Sequence, residues 1–152
     1  MAIITNVYTR AGLQAFRGNI TDLVDGGTSI KVALLDDTYT FDQNAHEDWT
    51  DVELAEIDPA NNAPYAAGGK EISNHTFTLD GNLVVFDGDN VSWPDASISA
   101  NYAVIYDDTP AEDADKKLLC LIDFGGEKST SDGTFEIQWA ANGIFAIEAV
   151  AI

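Results

Sequence analysis

Cysteine, histidine and positive charge are scarce in this 152-residue chain, and each shortage closes off a class of function. Cys120 is the one cysteine, so no intrachain disulfide can form. Its place in the apolar run Leu118-Leu119-Cys120-Leu121-Ile122 marks it as a small buried hydrophobe, not a redox group. His46 and His75 are the only histidines, and there is no His-Glu-x-x-His, no Gly-x-Ser-x-Gly and no phosphate-binding glycine loop. Seven Lys and Arg stand against 26 Asp and Glu, a formal charge of −19. A surface this acidic repels phosphate backbones and anionic lipid headgroups, so neither nucleic acid nor a membrane is an expected partner. No run approaches the roughly 18 consecutive apolar residues of a spanning helix. The opening Met1-Ala2-Ile3-Ile4-Thr5-Asn6 carries neither a basic segment nor an adequate hydrophobic segment for secretion, which gives the expectation of a chain made in a cytoplasm.

What is present is enough apolar material for a core: 45% of the residues are hydrophobic and 22% charged, which sets the chain apart from disordered compositions. One domain over residues 1–152 is the expectation. A single segment has helical character, 8–17, capped by Asn6 or Thr5, with Leu13 and Phe16 on one face and Gly18 as the stop. A second short helical turn fits 44–49. The other periodic segments read as strands: 29–35, 70–79, 83–86, 102–106, 117–124, 134–139 and 143–150, rich in Val, Ile, Phe, Tyr and Trp and separated by turn residues. Asp80-Gly81-Asn82 marks a hairpin. In 70–79, Ile72 falls on one parity and Phe77 with Leu79 on the other, which suggests a bulge near Asn74-His75. Phe135, Ile137 and Trp139 alternate with polar neighbours, placing Trp139 in the core. The predicted fold is all-β: an antiparallel β-sandwich, of which a jelly roll is one form, with one short N-terminal helix.

Several of these strands are apolar on both faces. Ile30, Val32 and Leu34 alternate with Ala33 and Leu35, and the same holds for Tyr102, Val104 and Tyr106 with Ala103 and Ile105, and for 118–122 and 144–150. A solitary sandwich should present a polar outer face. One short helix covers about two strands at a spacing of roughly 4.8 Å, so the surplus predicts contact with other subunits.

The chemistry-bearing residues form no convincing constellation. Ser73 and His75 share a strand face, but this spacing is common by chance and reads as a hydrogen-bonded strand residue near a bulge. Asp87, Asp89 and Asn90 could offer oxygens to a hard cation, yet the glycine and terminal glutamate of a calcium loop are missing. Asp107, Asp108, Glu112, Asp113 and Asp115 form a denser acidic loop that reads as solvated. No catalytic residue, no metal site and no cofactor is expected, and the chain reads as a non-enzyme. Trp49 and Trp93 lie at element ends beside polar residues; they suit either sugar stacking or packing at a sandwich end or subunit contact.

Six stretches read together carry a resemblance: Tyr8-Thr9-Arg10-Ala11-Gly12-Leu13, Ile30-Lys31-Val32-Ala33-Leu34-Leu35-Asp36-Asp37-Thr38-Tyr39-Thr40, Ala66-Ala67-Gly68-Gly69-Lys70, Tyr102-Ala103-Val104-Ile105-Tyr106, Leu121-Ile122-Asp123-Phe124-Gly125-Gly126-Glu127-Lys128-Ser129-Thr130, and Phe135-Glu136-Ile137-Gln138-Trp139 with Gly143-Ile144-Phe145. The chain resembles a family of small structural proteins of tailed bacteriophages and prophages, and within it a capsid decoration, or cement, protein. The resemblance implies a non-catalytic, β-rich homotrimer on the outer head surface of the virion, clamping neighbouring subunits of the major capsid protein. A tail or fibre component and a carbohydrate-binding adhesion module are the alternatives. On exposed apolarity, the interface candidates are Ile3, Ile4, Val7 and Tyr8, with Trp49 and Trp93. A trimer would carry 57 formal negative charges, three times the 19 of one chain, so its assembly is expected to strengthen with salt.

Overall fold

The apolar run at 118–124 becomes the first half of the longest strand, Leu118–Ser129. The structure, a computed structural model, describes residues 4–152. In chain order the elements are β1 (Ile4–Val7), α1 (Thr9–Phe16), β2 (Ile30–Leu35), β3 (Lys70–Glu71), β4 (Thr76–Asp80), β5 (Leu83–Asp87), β6 (Val91–Ala96), β7 (Ser99–Asp107), β8 (Leu118–Ser129), β9 (Gly133–Ile137) and β10 (Phe145–Glu148). All pairings are antiparallel, in a five-stranded sheet β1-β8-β7-β2-β3, a three-stranded sheet β10-β5-β4 and a two-stranded sheet β6-β9. The all-β sandwich with one short helix is therefore the observed architecture, its second layer divided between the two smaller sheets.

Both faces of the five-stranded sheet are buried. On one, Ile30, Val32 and Leu34 of β2, Ala103 and Ile105 of β7, and Cys120, Ile122 and Phe124 of β8 meet Phe86, Val91, Trp93, Phe135, Ile137 and Ile144 from the second layer. On the other, Ala33, Leu35, Val104, Tyr106, Leu118 and Leu121 are covered by Tyr8 and Ala11 and by Tyr39, Trp49, Val52 and Ala55 from segment 36–57. That segment forms two short 3-10 helices, Trp49–Asp51 and Glu53–Ala55. The two-sided apolarity of β2, β7 and the start of β8 thus has an intramolecular explanation, and the inference of subunit contacts from these strands is corrected: the chain supplies its own second cover.

Trp49 and Trp93 are buried, not exposed. Trp49 stacks on Tyr106 with ring centroids 4.5 Å apart, and Trp93 packs between Tyr65 and Phe135 at 5.9 and 6.1 Å. Trp139 is only half buried, just past the end of β9, where its indole N–H donates to the Asp89 carbonyl at 2.8 Å. The helix also turns differently from expectation. Its N-cap is Tyr8 and has no side-chain cap, because Thr5 and Asn6 lie in β1; Ala11 and Gln14 face inward, while Leu13 and Phe16 are exposed.

The strand expected over 70–79 divides between two sheets. Asn74, at φ 52°, turns the chain after β3, and β4 joins the three-stranded sheet. The parity switch between Ile72 and Phe77 marks this change of sheet rather than a bulge. A bulge does occur where β7 meets β8: Ile105 pairs with Cys120 and Tyr106 with Leu118, leaving Leu119 as the extra residue. Two strands went unpredicted. β1 is short, and β6 contains Pro94, tolerated because β6 pairs only with β9 and its register shifts between Trp93 and Ala96.

Gly69 fixes how segment 56–69 crosses the edge of β2. Its φ is +74°, and a Cβ there would collide with the Val32 carbonyl and lie 2.7 Å from the Ala33 Cα. Neither backbone group can move without disturbing the β2–β3 pairing of Val32 with Lys70. Gly69→Ala should therefore lower stability by on the order of 3 kcal/mol, read as a lower urea midpoint at unchanged slope.

Candidate interaction face

The three-stranded sheet carries an apolar stripe that the fold covers at one end only. Because side chains alternate along a strand, Phe77 and Leu79 of β4, Val84 and Phe86 of β5, and Phe145 and Ile147 of β10 share one face. The register aligns them in two rows, Phe77–Phe86–Phe145 and Leu79–Val84–Ile147. The first row belongs to the core: Phe86 is fully buried, with ring centroids 4.8 Å from Phe77 and 5.2 Å from Phe145. The second row is open, with Leu79 81% exposed, Val84 39% and Ile147 38%.

Helix α1 runs beside this sheet without closing over it. It presents the small residues Ala11, Gly12 and Ala15, which leave a groove of about 250 Å³ against Phe77, Val84 and Phe145. A Cβ at Gly12 would meet nothing within 4 Å. Phe16 stands at the groove wall, 94% exposed. A phenyl ring so placed gains little from the fold.

At the edge of the face Asp25 accepts the Phe77 N–H at 3.0 Å. Asp80 and Glu148, next in chain to Leu79 and Ile147, fall on the opposite side of the sheet beside Leu83, where Glu148 accepts from Asn82 at 2.8 Å. Arg17, next to Phe16, is the cation beside the face. Among the described residues four other cations are tied up in ion pairs: Arg10 with Glu47, Lys31 with Asp108, Lys116 with Asp108 and Asp113, and Lys117 with Glu47 and Asp48.

Elsewhere the chemistry-bearing side chains are bound into the scaffold. His75 is fully buried, its ring nitrogens 3.2 Å from the Ile72 carbonyl and 3.3 Å from the Asp22 carbonyl, while Ser73 is exposed. His46 Nδ1 bonds the Tyr39 hydroxyl at 2.7 Å, and Tyr39 bonds the Tyr8 hydroxyl at 2.8 Å. Burial pushes the Tyr39 phenol up to about 12 and the Tyr8 phenol further. Burial also pushes the Cys120 thiol well above its ordinary range, leaving it un-ionised.

In the acidic loop, one Asp107 oxygen accepts the Thr21 N–H (2.6 Å) and hydroxyl, and the other accepts the Thr109 N–H (2.9 Å) and hydroxyl. Asp108 lies 2.6 Å from Lys31 and 3.0 Å from Lys116. Burial alone would raise its carboxyl, but the two ammonium groups reverse that and hold it below the usual range. Asp87 accepts the Gly88 N–H, and Asp89 accepts from Asn74. Among the described residues no three His, Cys, Asp or Glu gather as a metal centre, and no buried side-chain nitrogen or oxygen lacks a hydrogen-bond partner.

The interface candidates from sequence do not converge on the open face. Ile3 lies outside the described residues. Ile4 is exposed and Val7 half buried on β1, an edge strand of the five-stranded sheet, while Tyr8, Trp49 and Trp93 are buried and have almost no surface to offer a partner. That is a correction to the exposure on which they were chosen. The residues that do form the face, Phe16, Leu79, Val84 and Ile147, went unidentified. The paired alternation of Phe77/Leu79 with Val84/Phe86 around the hairpin was their one sequence signal. No protein-family model, curated protein or solved structure matches this chain.

Two predictions follow from this geometry. Phe16→Gln and Leu79→Thr should each change stability by less than about 0.5 kcal/mol, whereas Phe86→Ala, one row inward, should cost about 3–5 kcal/mol, as chemical denaturation would read. The second concerns Glu56, which accepts the Tyr65 hydroxyl at 2.7 Å and the Gly68 N–H at 2.6 Å. Burial raises its carboxyl despite these two bonds. A raised folded value means that its stabilising contribution is present below the unfolded range and is lost as pH rises through the folded value. Glu56→Gln, which keeps both acceptor bonds and removes the charge, should gain stability relative to the parent chain between about pH 4 and pH 7.5; urea midpoints at those two pH values check it.

Proposed function

We propose that this chain is a non-catalytic structural protein of a virus particle: a decoration, or cement, protein on the outer head surface of a tailed bacteriophage or prophage. One observation carries the step from scaffold to binding protein. On a chain of charge −19, a sheet face stays uncharged and open at Phe16, Leu79, Val84 and Ile147, beside a fold whose histidines, cysteine and acidic loop are held in internal contacts. A contiguous exposed apolar face marks a site of protein contact. The decoration role itself comes from the resemblance of the strand and turn stretches. On a shell the partner is the major capsid protein, and the trimer belongs to the same reading.

The mechanism is avidity. Each copy buries a modest area, but it bridges subunits that must separate together, so many copies stabilise the shell by binding only its assembled form. No bond is made or broken. The sugar-binding alternative loses its ground, because the tryptophans that would stack on a saccharide ring lie in the core.

Immunogold electron microscopy on particles from the source, with antibody against this chain, tests the reading. Uniform gold on heads is the expected result. Gold confined to tails or fibre tips would move the protein to the tail, and intact particles without gold would overturn the virion assignment.

A further inference from the structure

We propose that the open face takes an apolar segment flanked by lysine or arginine from a different protein, and not a second copy of this chain. The inference rests on the reading that the chain docks onto protein, and it names the chemistry of the partner.

Area and charge both select this occupant. Phe16, Leu79, Val84 and Ile147 together expose on the order of 500 Å², against about 800 Å² per partner in a standard interface between folded proteins. The groove beside α1 lies within this patch and suits a segment lying along it, with its apolar side chains against Val84 and Ile147 and beside the Phe16 ring.

The charge of the whole chain then sets that of the segment's ends. Asp25 stands at the edge of the face, on a chain at −19. A second copy would bring a second charge of −19 against the first, a repulsion felt within the roughly 8 Å screening length of physiological salt. A segment with cationic ends meets attraction instead. The contacts also speed encounter, because the field of the whole acidic surface draws in a basic partner.

The probe is a fluorescein-labelled peptide with a leucine-rich centre and two lysines at each end, compared with the same peptide carrying glutamates at those ends. Binding is followed by anisotropy. Reversal of four charges at a few-fold each should weaken binding at least tenfold. The double variant Phe16→Gln/Leu79→Thr should weaken the lysine peptide by a similar factor while its circular dichroism stays that of the parent chain; Phe16→Gln alone serves if the double variant misfolds. Added salt should weaken the lysine peptide.

Equal binding of the lysine peptide by parent and variant would overturn the proposal, since the acidic surface alone would then hold it. Equal binding of both peptides would overturn the charge assignment. A parent chain that is dimeric by light scattering and monomeric as the Phe16→Gln/Leu79→Thr variant would give the face to a second copy. These outcomes are separate from the particle test: gold on heads with no peptide preference sinks the choice of partner alone, and absent gold with a clear preference sinks the virion reading alone.

Discussion

The double burial of the five-stranded sheet is the constraint on which the rest of this structure depends. Strands β2, β7 and β8 are apolar on both faces, so one chain must supply two covers. The first is conventional, two small sheets completing a sandwich. The second is an irregular segment, 36–57, that lays Tyr39, Trp49, Val52 and Ala55 on the opposite face. An irregular cover has few ladder hydrogen bonds of its own, so it is fixed by others. The Leu35–Glu56 bridge joins it to β2, and the Leu118 N–H donates to the Glu47 carbonyl at 2.9 Å. The Tyr65 hydroxyl receives the Leu34 N–H at 3.1 Å while donating to Glu56, which ties the segment after the cover to the same edge of β2.

The few cations are placed to serve the same seam. Glu47 of the cover receives Arg10 of α1 at 2.7 Å and Gln14 of α1, and lies 3.6 Å from Lys117 before β8. Lys31 and Lys116 meet at Asp108, where β2, the end of β7 and the acidic loop come together. Each such pair is partly exposed and contributes modestly. Their shared value is orientation: on a chain with 26 carboxylates and seven cations, four of the cations, Arg10, Lys31, Lys116 and Lys117, sit where separate segments must be held together. The acidic loop at 107–115 belongs to this arrangement, with Asp107 closing on Thr21 and Asp108 on two lysines.

What sequence reveals here follows from how local each determinant is. The β4–β5 hairpin was legible because Asp80-Gly81-Asn82 is a local turn signal, and Asp80 indeed pairs with Leu83 across it. The strands expected at 102–106 and 117–124 were legible from their β-branched and aromatic runs, and so was their two-sided apolarity, although the observed strands extend further, over Ser99–Asp107 and Leu118–Ser129. The identity of the second cover was not, because Tyr39, Trp49, Val52 and Ala55 follow neither a 3.6-residue nor a 2-residue period; 3-10 turns and loop place them. Trp49 and Trp93 looked exposed by their polar neighbours in sequence, but each ring is buried by residues distant along the chain. The inner face of α1 was misread for a related reason. The helix must fit its smaller side chains, Ala11 and Ala15, against packed sheet, and Gln14 turns inward because Glu47 and Asn19 are there to bond it.

The open face is legible in part by the same logic. Alternation puts Phe77, Leu79, Val84, Phe86, Phe145 and Ile147 on one side, but which row lies under cover depends on where α1 stops, a tertiary fact. Folding accounts for the inner row, whose stacked rings close the core. It does not account for the outer one. Leu79 at 81% exposure and Phe16 at 94% bury little, and a threonine or glutamine would preserve strand and helix at those positions. Contiguous exposed hydrophobes are an aggregation liability that soluble proteins ordinarily suppress with charge. This chain has an excess of carboxylates over the rest of its surface and none in the row itself. A surface uncharged in the one place where charge would be easiest to add is better explained by contact with another molecule than by the demands of the fold.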